Sequence, residues 1–90
     1  MTEPYEVVFT RAARRALERE LPEKIAAAAF GFVMGALREN PRRTGKPLRE
    51  PLAPLYFARR GEYRVIYRIL EARLVIEVVS ISHRRDAYHH

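Results

Sequence analysis

Residues 62–69 read Glu-Tyr-Arg-Val-Ile-Tyr-Arg-Ile, and this stretch carries the clearest structural pattern in the chain. Its aromatic and aliphatic side chains occupy every second position: Tyr63, Val65, Tyr67 and Ile69. The positions between them hold Arg64, Ile66 and Arg68. Because successive side chains of a β-strand point to opposite faces, the pattern predicts a strand whose first set packs on a core. The second set would place two arginines on the open face of a sheet.

Strand-like runs precede and follow this stretch, at residues 55–59 and 74–82. The two-residue Arg-Gly link before it predicts a tight hairpin, with the glycine supplying a positive φ. That hairpin would pair Phe57 with Arg64 and would place Arg59 on the same face. We therefore predict that the second half of the chain forms a β-meander.

The turn after this stretch decides what else shares the arginine face. A four-residue turn would place Arg64 opposite Val79 and would bring Glu77 and His83 to that face. Glu77 would then lie diagonal to Arg64 and Arg68, within reach of an ion pair. We interpret Arg68 as the partner of Glu77, and Arg64 as the arginine nearer the strand end where His83 lies.

The first half of the chain predicts one strand and two helices. Residues 5–9 alternate as a strand does, and Thr10 is a favourable N-cap for a helix over residues 11–20. A second helix begins at Pro22 and ends at Asn40-Pro41. Apolar residues at helical spacing predict its buried face: Ile25, Ala29, Phe32, Val33, Ala36 and Leu37.

Residues 40–54 contain four of the six prolines and predict a basic loop without a helix. The element order is therefore β-α-α-β-β-β, an α+β domain in which a helical hairpin covers one face of an antiparallel sheet. The length predicts a single domain over residues 1–90, with His89 and His90 interpreted as a tag remnant. No signal-peptide pattern or membrane-length apolar run is present, so a cytoplasmic protein is expected.

Charge is the first functional signal. Lys and Arg number 17 against 11 Asp and Glu, which gives a net charge of +6, and nearly all the basic residues are arginine. Guanidinium groups contact phosphates in bidentate geometry and stack on bases, which favours a nucleic-acid partner. A GC-rich genome would produce the same bias through codon usage. The absence of cysteine excludes disulfides and thiolate metal sites, and no acidic cluster, zinc-ligand spacing or glycine-rich phosphate loop occurs.

The predicted open face combines cations with groups that transfer protons or stack on bases: Phe57, Arg59, Arg64, His83, Arg84 and Tyr88. RNA carries its own nucleophile, the 2′-OH. Cleavage needs a base that takes its proton, cations that stabilise charge at phosphorus, and an acid for the leaving 5′ oxygen. We therefore expect RNA hydrolysis without a metal or another cofactor.

Three segments resemble the RelE/ParE superfamily of bacterial type II toxin–antitoxin toxins: GKPLR at 45–49, RGEYRVIY at 60–67 and ISHRRDAY at 81–88. Their order and spacing are similar over essentially the whole chain, most of all to the actinobacterial RelE branch. The resemblance implies a microbial-ribonuclease-like fold and cleavage of mRNA in the ribosomal A site. It also implies that the partners are a RelB-like antitoxin, the bacterial ribosome and mRNA, with operator DNA bound only through the antitoxin complex.

Carried over by position, the resemblance implies that Arg64 stabilises the transition state. Arg84, or Arg85 if the register slips by one, resembles a second such arginine. Tyr88 resembles the tyrosine that stacks on or orients the substrate, and His83 resembles the histidine that serves as acid or base in the YoeB-like branch.

Arg59 and Phe57 match the positions of two catalytic lysines in well-known RelE proteins, and only Arg59 keeps the charge. Arginine is a poor proton acceptor, so the general base is expected to be His83 rather than Lys46. The implied catalytic residues are Arg59, Arg64, His83, Arg84 and Tyr88. The implied RNA-binding residues are Lys46, Arg49, Phe57, Arg60 and Arg85.

Two other functions remain open on the sequence. ParE-type toxins resemble this chain in the YRxxY-like strand, but they inhibit DNA gyrase and do not cleave RNA. A non-catalytic co-repressor subunit would need only the phosphate contacts that the charge predicts. The combination of Arg64, His83, Arg84 and Tyr88 favours the nuclease.

Overall fold

The computed structural model describes residues 5–83. Five strands and three helices follow one another in this part of the chain: β1 (Glu6–Phe9), α1 (Arg11–Arg15), α2 (Glu23–Phe32), α3 (Pro41–Thr44), β2 (Lys46–Pro47), β3 (Tyr56–Arg60), β4 (Tyr63–Leu70) and β5 (Val75–His83). α1 continues as a π-helical turn over Ala16–Glu20, and α2 continues as one over Val33–Leu37. A 3₁₀ turn, Glu71–Arg73, joins β4 to β5.

The strands form one sheet in the order β1-β5-β4-β3-β2. β1 lies parallel to β5, whereas the other neighbouring strands are antiparallel. The predicted α+β class is confirmed. The prediction of a wholly antiparallel sheet is wrong, because the long helical connection after β1 allows that strand to occupy the β5 edge in the parallel direction.

The core lies between the helices and one face of the sheet. β4 contributes Tyr63, Val65 and Tyr67, all at most 5% exposed, which confirms the packed face predicted from its alternation. Further buried side chains come from the helices, from the residue after the first π-helical turn and from β5: Ala13, Ala16, Leu21, Ala29, Phe32, Val33, Leu37, Ile76, Val78 and Ile81. Ala36, predicted to be buried, is exposed, because a π-helical turn does not keep the angular spacing of an α-helix.

The predicted helix N-cap at Thr10 is confirmed. Its side chain accepts a hydrogen bond from the Ala13 N–H at 3.1 Å, which satisfies one of the free N–H groups of the first turn. The prediction that residues 40–54 contain no helix is wrong. α3 and β2 occupy the first half of this segment. Tyr67 Oη donates a hydrogen bond of 2.7 Å to the carbonyl of Pro41, the first residue of α3.

The β4–β5 ladder contains one irregularity. Tyr67 pairs with Val78, whereas Ile66 pairs with Ser80, so Val79 is an extra residue in β5. Such a β-bulge reverses the alternation of side chains beyond it. Ile81 consequently turns into the core at 5% exposure.

In residues 5–83, no helix has both the length and the apolar character that crossing a membrane requires.

Candidate functional site

The hairpin between β3 and β4 brings two arginines face to face. Arg59 pairs directly with Arg64, and Phe57 pairs with Ile66. The predicted pairing of Phe57 with Arg64 is wrong, because the two-residue loop is Gly61-Glu62 and not the predicted Arg-Gly link. Gly61 has the positive φ, 57°, that the turn requires. The shift is two residues, so Phe57, Arg59 and Arg64 still share the open face, as predicted.

The Arg59–Arg64 pair is electrostatically unfavourable in the free protein. Like charges directly opposite on one sheet face destabilise an antiparallel pair. Arg59 is exposed, whereas Arg64 is partly buried, and its Nε is buried without a hydrogen-bond partner in the part of the chain that the structure describes. An anion that bridged the two guanidinium groups would relieve the repulsion and satisfy that N–H.

A polar cleft of about 400 Å³ lies beside the arginine pair. Its lining residues come from the α3–β2 segment and from β3: Thr44, Gly45, Lys46, Phe57, Ala58 and Arg59. Lys46 pairs with Phe57, so an ammonium group, an aromatic ring and the Arg59 guanidinium share one face. Lys46 and Phe57 are predicted site residues, whereas Thr44 and Gly45 are not. Only the edge pairing of β2 with β3 places those two residues at the cleft.

The other arginine of β4 has a partner, as predicted. Arg68 Nη2 lies 2.6 Å from Glu77 Oε1, and the two residues are directly opposite across β4 and β5. The ion pair neutralises Arg68, and the anion-binding character of the open face is therefore concentrated around Arg59 and Arg64.

The structure places His83 away from the open face. The bulge at Val79 makes Ser82 the partner of Arg64 and makes His83 the partner of buried Tyr63. His83 Nε2 lies 3.6 Å from Glu62 Oε1, and the His83 side chain is 12% exposed. The prediction that His83 shares a face with Arg64 is wrong. Its reason is the single extra residue in β5, which no period-two pattern reveals.

Two predicted RNA-binding residues also lie outside the arginine-lined face. The Arg60 guanidinium carbon sits 4.6 Å from the centroid of the Phe32 ring, on the helix side of the sheet. Arg49 is exposed in the connection between β2 and β3, where its carbonyl accepts a hydrogen bond from Leu52. The remaining predicted site residues lie outside the described residues: Arg84, Arg85 and Tyr88.

Tyr67 anchors the segment that forms one wall of the cleft. It is fully buried, stacks on Tyr56 with ring centroids 5.6 Å apart, and donates its hydrogen bond to Pro41. Burial raises the pKa of Tyr67 to about 12, with a smaller contribution from the neighbouring Tyr56. The phenol therefore stays neutral and keeps its donor at physiological pH. This contact holds α3 and Gly45 beside β4 and thereby sets the position of Lys46.

The chain is similar to known toxins of toxin–antitoxin systems. Residues 7–88 match the family described as the ParE toxin of type II toxin–antitoxin system, parDE. Toxin RelE of Mycobacterium tuberculosis is 51% identical over 85 residues, which cover 94% of this chain and 87% of that toxin. Toxin RelG of the same organism is 46% identical over 85 residues, covering 94% of this chain and 97% of that toxin.

The fold is similar to that of a solved complex. A chain in the crystal structure of the toxin–antitoxin complex RelBE2 from M. tuberculosis superposes with a TM-score of 0.87 and 45% sequence identity. The match covers 91% of this chain and 100% of that chain.

Proposed function

Because the chain belongs to the RelE/ParE superfamily of type II toxin–antitoxin toxins, we propose that it is a ribosome-dependent endoribonuclease that cleaves mRNA in the A site. The single observation that carries the proposal is the Arg59–Arg64 pair beside the cleft with Lys46 and Phe57. Two facing guanidinium groups match a phosphate with developing negative charge, and an aromatic ring can stack on an unpaired base. The proposed result is arrest of translation in the cytoplasm.

The proposed reaction needs no metal ion or cofactor. The 2′ oxygen attacks the adjacent phosphorus, the bond from phosphorus to the 5′ oxygen breaks, and a 2′,3′-cyclic phosphate forms. A base takes the 2′-OH proton and an acid supplies one to the leaving 5′ oxygen. Arg59 and Arg64 would stabilise the extra charge on the equatorial oxygens, and such stabilisation is usually the largest contribution to catalysis.

The position of His83 weakens its assignment as the base. Lys46 shares the open face with Phe57 and Arg59, whereas His83 pairs with Tyr63 and lies near Glu62. We propose Lys46 as the proton-transfer group among the described residues. Lys46→Gln should then slow cleavage by roughly 10²–10⁴-fold, as loss of a general acid or base does, whereas His83→Gln should slow it far less. A steep loss in His83→Gln alone would return the role to the histidine.

The proposed partners follow from the family and from the charge. The RelBE2 structure is of a toxin–antitoxin complex, and we propose a RelB-like antitoxin for this chain as well. An acidic or amphipathic segment that crossed the Arg59–Arg64 face would neutralise it and block the site. The other proposed partners are mRNA and the ribosome. Operator DNA would be bound only through the antitoxin complex. Arg84, Arg85 and Tyr88 are proposed to contact RNA from the C-terminal segment, as is Arg49 from its loop.

The test is primer extension on a reporter mRNA in a bacterial translation extract. The wild-type protein should cut at positions set by ribosome occupancy, and cleavage should vanish when ribosomes are omitted. Arg64→Gln should reduce cleavage by 10²-fold or more, the scale of losing one transition-state donor. Arg68→Gln is the matched control in the same strand, because its guanidinium is already paired with Glu77. Equal loss in both variants would point to a general charge effect and contradict the proposed role of Arg64.

Inhibition of DNA gyrase is the second candidate, and the match to the ParE toxin family favours it. A supercoiling assay with purified gyrase distinguishes the two functions. Inhibited supercoiling with intact mRNA would replace the nuclease proposal. The 51% identity to toxin RelE favours the nuclease.

A further inference from the structure

The extra residue Val79 determines which side chain of β5 lies against Arg64. From Tyr67 to Leu70, β4 keeps one register with β5, in which Tyr67 lies opposite Val78. If that register continued without a bulge, Arg64 would lie opposite Ile81. In the observed register Arg64 lies opposite Ser82. The bulge therefore places a small hydroxyl side chain beside the arginine, and the bulky apolar side chain turns into the core.

Thr10 satisfies the backbone at this irregularity. Its N–H donates to the Val78 carbonyl at 3.0 Å, and its Oγ1 donates to the Val79 carbonyl at 2.6 Å. The same oxygen accepts from the Ala13 N–H at 3.1 Å. One residue thus caps α1 and binds two successive carbonyls of β5. A bulged residue is left out of its ladder, so its carbonyl needs another donor.

We propose that Thr10 is a positioning residue for the nuclease site: its hydroxyl holds the bulge at Val79, and the bulge places Ser82 beside Arg64. This inference rests on the proposed function. Thr10 itself lies before α1 on the helical side and acts only through β5. Loss of its donor leaves the Val79 carbonyl without that bond and favours the regular register, in which Ile81 lies beside Arg64.

Substitutions at Thr10 separate the helix cap from the bulge. Thr10→Ser keeps both the donor and the acceptor. Thr10→Asp keeps an acceptor for the Ala13 N–H but has no proton to donate to the Val79 carbonyl. Thr10→Ala removes both without adding a charge, and it is the second variant if the carboxylate prevents folding.

Disulfide trapping reads the register without any enzymatic assay. The chain contains no cysteine, so two introduced cysteines form the only pair. Ile66→Cys with Ser80→Cys reports the bulged register, and Ile66→Cys with Val79→Cys reports the regular one. Directly opposite residues in a ladder lie within disulfide range. With Thr10 or its serine variant, the Ser80 pair should crosslink faster. In Thr10→Asp, trapping should shift toward the Val79 pair.

Cleavage kinetics on programmed ribosomes, without the introduced cysteines, complete the test. Thr10→Asp should lower kcat by roughly 10- to 100-fold, the range expected when reacting groups are misplaced by about 1 Å. KM of Thr10→Asp should stay near the wild-type value, and Thr10→Ser should keep the wild-type kcat. Unchanged trapping in Thr10→Asp, or shifted trapping with wild-type kcat, overturns the proposal. A wild-type protein that cleaves no mRNA refutes the proposed function and the positioning role with it, while trapping still decides whether Thr10 holds the bulge.

Discussion

Gly45 is tightly packed against its neighbours, whereas Gly31 has open space around it and serves as the control. A Cβ at Gly45 would lie 2.7 Å from the Phe57 carbonyl oxygen and would overlap Tyr67 Oη. The carbonyl belongs to β3, and Tyr67 is fully buried and bonded to Pro41, so neither atom can move cheaply. A Cβ at Gly31, an exposed position of α2, would meet nothing within 4 Å.

The two Gly→Ala changes should therefore act in opposite directions. Overpacking at Gly45 costs about 1–3 kcal/mol, and displacing the Tyr67 hydroxyl from its acceptor adds about 1–3 kcal/mol. Gly31→Ala should instead stabilise the protein by about 1 kcal/mol through helix propensity. A domain of 90 residues has a total stability of roughly 5–13 kcal/mol, so Gly45→Ala removes a large share of it.

Urea denaturation followed by circular dichroism measures both changes. With a slope of about 1–3 kcal/mol/M, the midpoint of Gly45→Ala should fall by roughly 1 M or more, and that of Gly31→Ala should rise. Gly45→Ala should also weaken RNA cleavage, because the displaced segment carries Lys46. A wild-type midpoint for Gly45→Ala would refute the close packing of Gly45 between β3 and Tyr67.

Three further predictions concern single side chains. The pKa of Tyr67 is about 12 in the folded protein, against about 10 in the unfolded chain. Tyr67 therefore contributes its full stabilisation of the fold below pH 10, and this contribution is lost as pH rises toward 12. Tyr67→Phe should flatten that part of a stability–pH curve measured by urea titration. Arg60→Gln should lower stability by about 0.5–1 kcal/mol through loss of the contact with Phe32 and should leave mRNA cleavage intact; reduced cleavage would place Arg60 in the RNA site after all. Lys46→Gln should weaken binding of single-stranded RNA and lower the log–log salt slope by about 0.7 in fluorescence anisotropy; an unchanged slope would show that Lys46 makes no phosphate contact.

Features that depend on neighbours in the chain were predictable from the sequence alone. The alternation along β4 placed Tyr63, Val65 and Tyr67 in the core, because period-two burial depends only on the pleat. The Thr10 cap was also predictable, because its hydroxyl oxygen accepts from the N–H of Ala13, only three residues away in the chain. The pairing of Arg68 with Glu77 followed from two complementary charges on neighbouring strands.

Tertiary structure alone decided the contents of the site. The register of β5 depends on Thr10 and Val79, which are 69 residues apart in sequence, and one extra residue turned His83 to the opposite face from Arg64. The edge strand β2 exists because β3 and Tyr67 hold it, although its sequence indicated a loop. A one-residue change of register costs little locally but exchanges every side chain between the two faces, and long-range hydrogen bonds select between the registers.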